Sequence, residues 1–326
     1  MLRTLSRSLA AVLVAAGLAS AAQAAAPEQI NISYVKSPFN LQSMVMRKQG
    51  LLEKEFEKDG ITVVWHDITS GAHQAQAMAA GSLDIGGVMN TTSILLANAG
   101  GNPVAIAAGV SRPSQTYAIV ARAGGPQSVA ELKGAKVAGP RGTVLHQLLA
   151  AALAAEGMSL SDVEFLGMDL PKAQASVIAG QVDAALLAAS LKIKAEEAGA
   201  RTIATADGLI NPVLVVGVRR AFATDHPELL ERVLKVHRDT TAWIAAHADD
   251  AIALGAEEQG ISLDDARKLA AWSNFTDTLR PDDVASIADD LAFLKANDML
   301  QGEVDIPALL LPGALATTTT TSGAGQ

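Results

Sequence analysis

Short apolar runs alternate with longer amphipathic segments over the first two hundred residues of the chain. Runs rich in β-branched residues and bounded by glycine, proline or polar residues predict strands. These predicted strands cover residues 30–35, 61–66, 83–88, 104–110, 117–121, 136–138, 163–166, 182–187 and 202–204. Between the early strands, helices are predicted at residues 41–56, 73–80 and 91–99. Strands that alternate with helices at this spacing are typical of βα units, so the pattern predicts an α/β fold with mostly parallel sheets.

The pattern changes at Pro227, after which it is helical almost to the end of the chain. In the segment PELLERVLKVHRDTTAWI, the apolar residues Leu229, Val233 and Val236 share one face of a helix. Pro227 suits the first helical position, because that position needs no backbone N–H and a helical φ angle. We therefore expect a mostly helical C-terminal region.

A short sequence echo relates two parts of the strand-rich region. The segment AGSLDI at residues 80–85 resembles AGQVDA at residues 179–184. In both, a glycine ends a predicted helix and a strand follows the aspartate. A generic helix–glycine–strand junction would look similar, but the surrounding alternation of strands and helices matches as well. We therefore expect two domains of similar topology.

The first 24 residues have the organisation of a cleavable secretory signal peptide. Arg3 and Arg7 form a basic start, residues 9–19 are apolar but too short to span a bilayer, and Ala22-Gln23-Ala24 is a small-x-small cleavage site. The chain contains no cysteine, which excludes a disulfide framework, a thiolate metal site and a lipid anchor on cysteine. We expect a freely diffusing periplasmic protein with a disordered, low-complexity tail at residues 317–326.

The charge of the chain excludes one class of partner. The formal net charge is −9, and removal of the signal peptide would make it more negative. A nucleic-acid-binding protein normally presents a basic face, so no nucleic-acid partner is expected. A small anionic ligand remains compatible, because a local site can oppose the field of the whole protein.

Candidate ligand-binding residues follow the predicted strands, where open α/β sheets bind their ligands. The loops there carry hydroxyls, amides and glycines just before helices, whose first backbone N–H groups are free. A sulfonate, phosphate, nitrate or carboxylate fits such N-termini without a metal or a cofactor. The candidates are Ser37, Phe39, Ser70, Asn90, Thr91, Ser111, Arg141, Gly142, Thr143 and Ser190.

The segment GPRGTVLHQLL at residues 139–149 is the most informative of these loops. Gly142 would let the backbone approach a ligand closely, Thr143 would donate its hydroxyl, and Arg141 would add charge. In the alternative interpretation, Thr143 only caps its helix and Arg141 points into water. His146, one turn later, is expected to be buried by packing.

The chain lacks the sequence motifs of several enzyme classes. The chain has no G-x-x-x-x-G-K-[ST] phosphate loop and no G-x-S-x-G nucleophile elbow. Its six histidines do not cluster at a metal-binding spacing. Few aromatic residues are available to a cleft, with Phe39 the best placed, which disfavours a sugar ligand. We therefore expect that the protein is not an enzyme.

Five segments carry a family resemblance. They are ISYVKSPFNLQSMVMRKQGLLEKEF, AAGSLDIGGVMNTTSILLANAGGNPVAIAAGV, SVAELKGAKVAGPRGTVLHQLLAAALAAEGMSLSDVEFL, IAGQVDAALL and VVGVRRAFATDHPELLERVLKVHRDTTAWI. In their order and spacing they resemble the solute-binding proteins of ABC importers, in the group that binds aliphatic sulfonates, taurine and nitrate. The resemblance covers residues 30–300 and is specific for the superfamily more than for the ligand.

The resemblance implies the two-lobed type II periplasmic-binding-protein fold. Each lobe would be a mostly parallel sheet flanked by helices, and two crossing strands near residues 117–121 and 213–218 would join the lobes. One lobe would comprise residues 27–114 and 215–316, and the other residues 115–214. Such a protein closes on its ligand and delivers it to a permease in the inner membrane. It would act as a monomer.

One segment departs from the family pattern. After the Val-Asp that ends at Asp183, sulfonate binders often carry an aromatic-rich stretch with an acidic residue, whereas this chain has AALLAASLKI. The departure favours a more apolar pocket or one with smaller polar reach. An aliphatic sulfonate or taurine is the expected solute, and nitrate, carboxylate and pyrimidine-type ligands remain open. A periplasmic enzyme or a sensory binding protein on the same two-lobed fold is the alternative.

Overall fold

A computed structural model describes residues 27–35, 39–68 and 70–316 of the chain. The predicted signal peptide, the candidate residue Ser37 and the predicted tail at residues 317–326 lie outside the described residues. No helix within the described ranges is long and apolar enough to cross a membrane.

Ten strands form two sheets of five strands each. The strands are β1 (Gln29–Tyr34), β2 (Thr62–Asp67), β3 (Ile85–Asn90), β4 (Val104–Ser111), β5 (Tyr117–Ala121), β6 (Lys136–Gly139), β7 (Glu164–Gly167), β8 (Ala184–Ala188), β9 (Arg201–Thr205) and β10 (Leu214–Arg219). The orders are β2-β1-β3-β10-β4 and β7-β6-β8-β5-β9. In each sheet one strand runs against its neighbours: β10 is antiparallel to β3 and β4, and β5 is antiparallel to β8 and β9. The expected α/β fold with two sheets is confirmed, and both sheets are mixed, because two of the four strand pairings in each are antiparallel.

Thirteen helices flank the sheets in the described part of the chain. They are α1 (Leu41–Gln49), α2 (Leu51–Phe56), α3 (Gly71–Ala79), α4 (Thr91–Ala99), α5 (Val144–Ala155), α6 (Leu170–Ile178), α7 (Ala189–Glu197), α8 (Arg220–Asp225), α9 (Pro227–Ala246), α10 (Ala248–Gln259), α11 (Leu263–Ser273), α12 (Pro281–Ala296) and α13 (Ile306–Leu309). The C-terminal helices return to the first sheet, because α9 and α10 pack on α1, and α12 packs on α4. We call the first sheet, together with helices α1–α4 and α8–α13, the first lobe. The second sheet with α5, α6 and α7 is the second lobe.

The chain passes between the lobes twice, next to the positions that the sequence predicts. It leaves the first sheet after Ser111 and enters the second at Tyr117, and it returns between Thr205 and Leu214. Residues 112–116 and 206–213 are therefore the two connecting segments. The strands β5 and β10 that border these segments each remain within one sheet, because each is paired on both sides there.

The sequence echo corresponds to the same joint in both lobes. In the first lobe, the Asp84 carboxylate accepts hydrogen bonds from the Asn31 backbone N–H at 2.9 Å and from Arg219 at 2.6 Å. In the second lobe, Asp183 accepts from the Lys136 backbone N–H at 3.0 Å and from Arg122 at 3.2 Å. In each case a carboxylate that precedes a central strand (β3 or β8) binds an arginine at or just after the end of the antiparallel strand and a backbone N–H of the parallel strand on its other side (β1 or β6).

The predicted helix over residues 41–56 is interrupted in the structure. Gly50 separates α1 from α2 and adopts a left-handed φ of 59°. Glycine populates this region without steric strain, so it can end α1 and begin α2 in a new direction. The apolar spacing continues through the break, which is why the sequence pattern predicts one helix.

Candidate functional site

The two lobes touch through helices that follow the carboxyl ends of parallel strands. In the second lobe α5 follows β6 and contacts α12, while α7 follows β8 and contacts α11. Ala189 and Ile193 of α7 also share a buried cluster with Phe39, Leu41 and other residues of the first lobe. The two lobes are thus in contact in this structure, and a ligand at these strand ends would lie between them.

The loop between β6 and α5 carries three of the candidate residues, Arg141, Gly142 and Thr143. Gly142 has a left-handed φ of 70°, which a residue with a side chain rarely adopts. Thr143 occupies the N-cap position of α5 but makes no side-chain capping bond. Its hydroxyl instead donates to the Pro140 carbonyl at 3.0 Å. Capping by the Thr143 hydroxyl, one of the two predicted roles, is therefore wrong, and the first turn of α5 keeps N–H groups that this side chain does not occupy.

Arg141 begins a stack of rings that crosses from the second lobe to the first. Its exposed guanidinium lies 4.9 Å from the centroid of the Phe165 ring. The His146 ring stacks on the Phe165 ring, with their centroids 4.5 Å apart. It also meets the Phe293 ring of α12 edge-on, with the centroids 5.8 Å apart. The stack gives the loop a fixed, partly apolar wall on the side where the lobes meet.

His146 stabilises the loop as a neutral acceptor. The side chain is buried, and its Nδ1 accepts a hydrogen bond from the Gly142 backbone N–H at 3.3 Å. Burial, together with the nearby Arg141 charge, lowers the pKa of His146 to about 4. The imidazole is therefore neutral at pH 7, and since Nδ1 accepts, the ring proton resides on Nε2. The expectation that His146 is buried by packing is met.

The candidate residues of the first lobe mostly organise helix starts. Asn90 caps α4, because its Oδ1 accepts from the Ser93 N–H at 2.8 Å. Ser70 caps α3 through a longer contact of 3.5 Å with the His73 N–H. The two loops are neighbours: a Cβ added at Gly71 would lie 3.3 Å from the Asn90 amide nitrogen. The structure therefore brings Ser70 and Asn90 close together, and the role that it shows for each side chain is helix capping.

Thr91 is directed at a buried carboxylate. Its hydroxyl donates to Asp290 of α12, and both side chains are buried. The nearby amide of Gln147, on α5 of the second lobe, favours the ionised form of this carboxylate, but burial outweighs it. Desolvation raises the pKa of Asp290 to about 6. Through α12, the structure thus links Thr91 to the helix that begins at the Arg141–Thr143 loop.

The remaining candidate residues lie elsewhere. The expectation that the Phe39 ring faces a ligand is corrected: the ring is 2% exposed and packs on α10, where a Cβ at Gly255 would lie 2.5 Å from its Cζ. Ser111 is buried at the end of β4, just before the first connecting segment, and pairs with Leu214 of β10. Ser190 is half-buried in the first turn of α7 and borders a cavity of about 190 Å³ beside the α10–α11 loop.

The sequence analysis missed three polar residues at the contact between the lobes. Lys192 lies in the segment that departs from the family pattern. Its Nζ donates to the Gln115 carbonyl at 3.3 Å and lies 4.1 Å from the Trp272 ring centroid. Burial lowers the pKa of this ammonium. Gln147 follows Thr143 by four residues and could have been placed on the same helix face. Nothing in the local sequence marks Asp290.

A polar cavity of about 420 Å³ lies beside the connecting segments. Its lining includes Arg112, Asp207, Asn211, Asn274, Arg280 and Asp283. Arg112 and Asp283 form a two-point ion pair there, with N–O distances of 2.7 and 2.5 Å. Such a pair holds the first connecting segment to α12 in a defined geometry.

The sequence model of the NMT1/THI5-like family matches residues 55–251, more than half of the chain. Among curated relatives, a putative aliphatic sulfonates-binding protein of Escherichia coli is 26% identical over 255 residues, which are 78% of this chain and 78% of the relative.

Solved structures share the fold. The periplasmic aliphatic sulphonate binding protein SsuA from Escherichia coli superposes with a TM-score of 0.78 at 21% identity, over 89% of this chain and 94% of that protein. The alkanesulfonate-binding protein SsuA from Xanthomonas axonopodis pv. citri, bound to MOPS, superposes with a TM-score of 0.77 at 22% identity, over 88% of this chain and 99% of that protein. The desulfurization enzyme DSZB also shares the fold, with a TM-score of 0.68 at 15% identity over 88% and 97%. These likenesses establish the two-lobed architecture, which therefore occurs in binding proteins and in an enzyme.

Proposed function

We propose, from the premise that this chain belongs to the NMT1/THI5-like family, that the protein is the solute-binding component of an ABC importer. Its solute is a small organic anion, with an aliphatic sulfonate as the leading candidate. The observation that carries the proposal is the loop of Arg141, Gly142 and Thr143, which precedes α5 where the two lobes meet.

The loop combines three features that favour an anion. The first N–H groups of a helix lack partners within the helix and lie at the positive end of its dipole. Thr143 leaves the first turn of α5 without a side-chain cap, and Gly142 places no side chain in front of it. Arg141 makes no ion pair among the described residues, so its charge is available to a ligand. Together these groups suit an oxyanion without a metal.

Binding and release would follow from a ligand-biased equilibrium between open and closed lobes. A ligand that touches both lobes binds the closed form better, and so shifts the population toward it. Residues 112–116 and 206–213 would provide the hinge, and the contacts of α5 with α12 and of α7 with α11 join the lobes in this structure. The closed clamp is what a membrane permease would recognise.

An alkyl sulfonate suits the surroundings of this loop. Phe165, His146 and Phe293 form an aromatic wall beside Arg141. An apolar wall next to an anion-binding helix start matches a ligand with a charged head and a short alkyl chain. The binding specificities named for the relatives support the same ligand class.

A binding role is favoured over a catalytic one by the state of His146. This imidazole lies next to the loop, but it is enclosed by two phenylalanine rings and its Nδ1 is engaged by the Gly142 N–H. A general base needs access to the proton that it removes. We further propose that the protein is exported to the periplasm, acts as a monomer and delivers its ligand to an inner-membrane permease.

The test is calorimetric titration with ethanesulfonate, butanesulfonate, taurine, nitrate and butyrate. Butanesulfonate should bind most tightly, and Arg141→Ala should weaken it at least about tenfold, the effect of a lost charged hydrogen bond. Arg238→Ala is the control, because Arg238 is a half-buried arginine on α9 that pairs with Glu231 and is not part of the loop. Failure of all five anions to bind the wild-type protein would refute the proposal. If both arginine variants bound butanesulfonate with equal affinity, the anion would have to bind outside this loop.

A further inference from the structure

A further cavity, of about 320 Å³, lies where α5 of the second lobe, the second connecting segment and α12 of the first lobe meet. Its lining consists of Gln147 on α5, residues 208–211 of the connecting segment, and Ser286 and Asp289 on α12. No residue of the loop at 141–143 belongs to this lining, so the cavity is separate from the proposed anion loop. Its volume is in the range of small-molecule binding sites.

One side chain of the lining contains a buried oxygen atom without a partner. Gln147 is 7% exposed, and its Oε1 has no hydrogen-bond partner among the described residues. A buried acceptor without a donor is destabilising and rare in native structures. The position of this atom is explained if the cavity receives a group that donates a hydrogen bond to it.

The connecting segment adds main-chain oxygen atoms to the cavity. Residues 206–210 form a turn, in which the Leu209 and Ile210 N–H groups both donate to the Ala206 carbonyl at 3.0 Å. Within the described part of the chain, the carbonyls of residues 208–210 accept no hydrogen bond, as happens to the last carbonyls of a helix. The Ser286 hydroxyl cannot serve them, because it donates to the Asn211 carbonyl at 2.5 Å.

The charge of the lining favours a cation. Asp289 is exposed and carries the one charge among the residues that line the cavity, where no arginine, lysine or histidine accompanies it. Its carboxylate attracts a cation and repels an anion. A metal ion is disfavoured, because the described residues contain no group of three acidic, histidine or cysteine side chains that could hold one. The ligand that fits is therefore an organic cation that donates hydrogen bonds.

We propose that this cavity binds a primary alkylammonium ion. The three N–H groups of such an ion match the three kinds of unused acceptor, which are the Asp289 carboxylate, Gln147 Oε1 and the carbonyls of residues 208–210. The alkyl chain lies against the half-buried side chains of Leu209 and Ile210. This site goes beyond the proposed function, because its ligand is a cation and no step of its binding requires the anion.

NMR titration of the wild-type protein with butylammonium chloride at pH 7 tests the proposal, since a primary amine is protonated at this pH. The backbone amide signals of residues 207–211 should shift and reach saturation. Tetramethylammonium has the same charge but no N–H group, so it should cause no saturable shift of these signals. Butanol has the alkyl chain without the charge, and it should not bind either.

Two variants test the side-chain acceptors separately. Gln147→Leu should weaken the binding of butylammonium about tenfold, because it removes a buried hydrogen bond to a charged group. It should not lower the free energy of unfolding, since it also removes an unpartnered buried acceptor. Asp289→Asn should weaken binding only about threefold to fivefold, because an exposed carboxylate is screened by water. Asp250→Asn is the matched control: it removes the same charge from an exposed residue of α10 outside the lining, so affinity should not change.

Three results would overturn the proposal. They are the absence of saturable shifts in the wild-type protein, equal shifts with tetramethylammonium or with potassium ion, and unchanged affinity in Gln147→Leu. No sulfonate is present in these titrations, so their outcome is independent of whether the protein binds the proposed anion.

Discussion

Two glycines that flank α5 provide a matched pair for testing the anion loop. Gly142 precedes the helix and Gly157 follows it, and their φ angles are 70° and 69°. A Cβ at Gly142 would meet only Met299 Sδ, at an ordinary distance of 3.8 Å, and a Cβ at Gly157 would meet nothing within 4 Å. Gly142→Ala and Gly157→Ala therefore introduce the same left-handed backbone strain and no clash.

The expected loss of stability is the same for both variants. A left-handed conformation costs a residue with a Cβ about 1–2 kcal/mol relative to glycine. Each substitution should therefore lower the free energy of unfolding by about 1 kcal/mol or slightly more, as measured by urea denaturation with linear extrapolation. A difference of several kcal/mol between the two variants would show that the strain argument is wrong.

The two variants should differ in ligand affinity. Relief of the strain at Gly142 rotates the backbone N–H groups that face the proposed anion, whereas the same relief at Gly157 acts at the far end of α5. A lost hydrogen bond to a charged group is worth about 1.5–3 kcal/mol, or roughly ten- to a hundredfold in dissociation constant. Calorimetry with butanesulfonate should show this loss in Gly142→Ala only. Near wild-type affinity in both would refute the placement of the anion at this loop.

Three further predictions concern the framework of the site. Asp84→Ala should lower the free energy of unfolding by about 3 kcal/mol and Asp183→Ala by about 1 kcal/mol. The reason is burial, because the Asp84 side chain is 7% exposed and the Asp183 side chain 33% exposed. Equal losses in urea denaturation would contradict this. The pKa of His146 is lowered to about 4 from its ordinary 6.5, so between these pH values the unfolded chain binds a proton that the folded protein does not. The free energy of unfolding should therefore fall as the pH is lowered from 6.5 to 4, with a slope of up to about 1.4 kcal/mol per pH unit. His146→Asn should have a smaller slope, and an unchanged slope would count against a buried neutral imidazole. Gly255→Ala should lower stability by about 1–3 kcal/mol, as thermal unfolding would show, because the added Cβ would overlap the buried Phe39 ring; a neutral effect would mean that this ring is free to move.

The sequence was sufficient for the order and type of most elements near the site. The strand predicted at residues 83–88 is β3 (Ile85–Asn90), and the one predicted at 182–187 is β8 (Ala184–Ala188). The aspartates of the echo precede both strands as expected. These features depend on periodicity and on residues within one turn of each other, so a single sequence contains them. The left-handed break at Gly50 was not predicted, because the apolar periodicity continues across it.

What the sequence by itself determined is local: the α/β alternation, the helix starts capped by Ser70 and Asn90, and the glycine that shapes the loop before α5. What only the tertiary structure decided is which distant groups meet. Thr91 and Asp290 are 199 residues apart, and their contact exists because α12 returns to α4 after the chain has built the whole second lobe. Such a contact depends on how helices pack in three dimensions, and neither propensity nor periodicity encodes it. The same holds for the burial of Asp290, which sets its pKa, since burial is a property of the assembled neighbours and not of the residue.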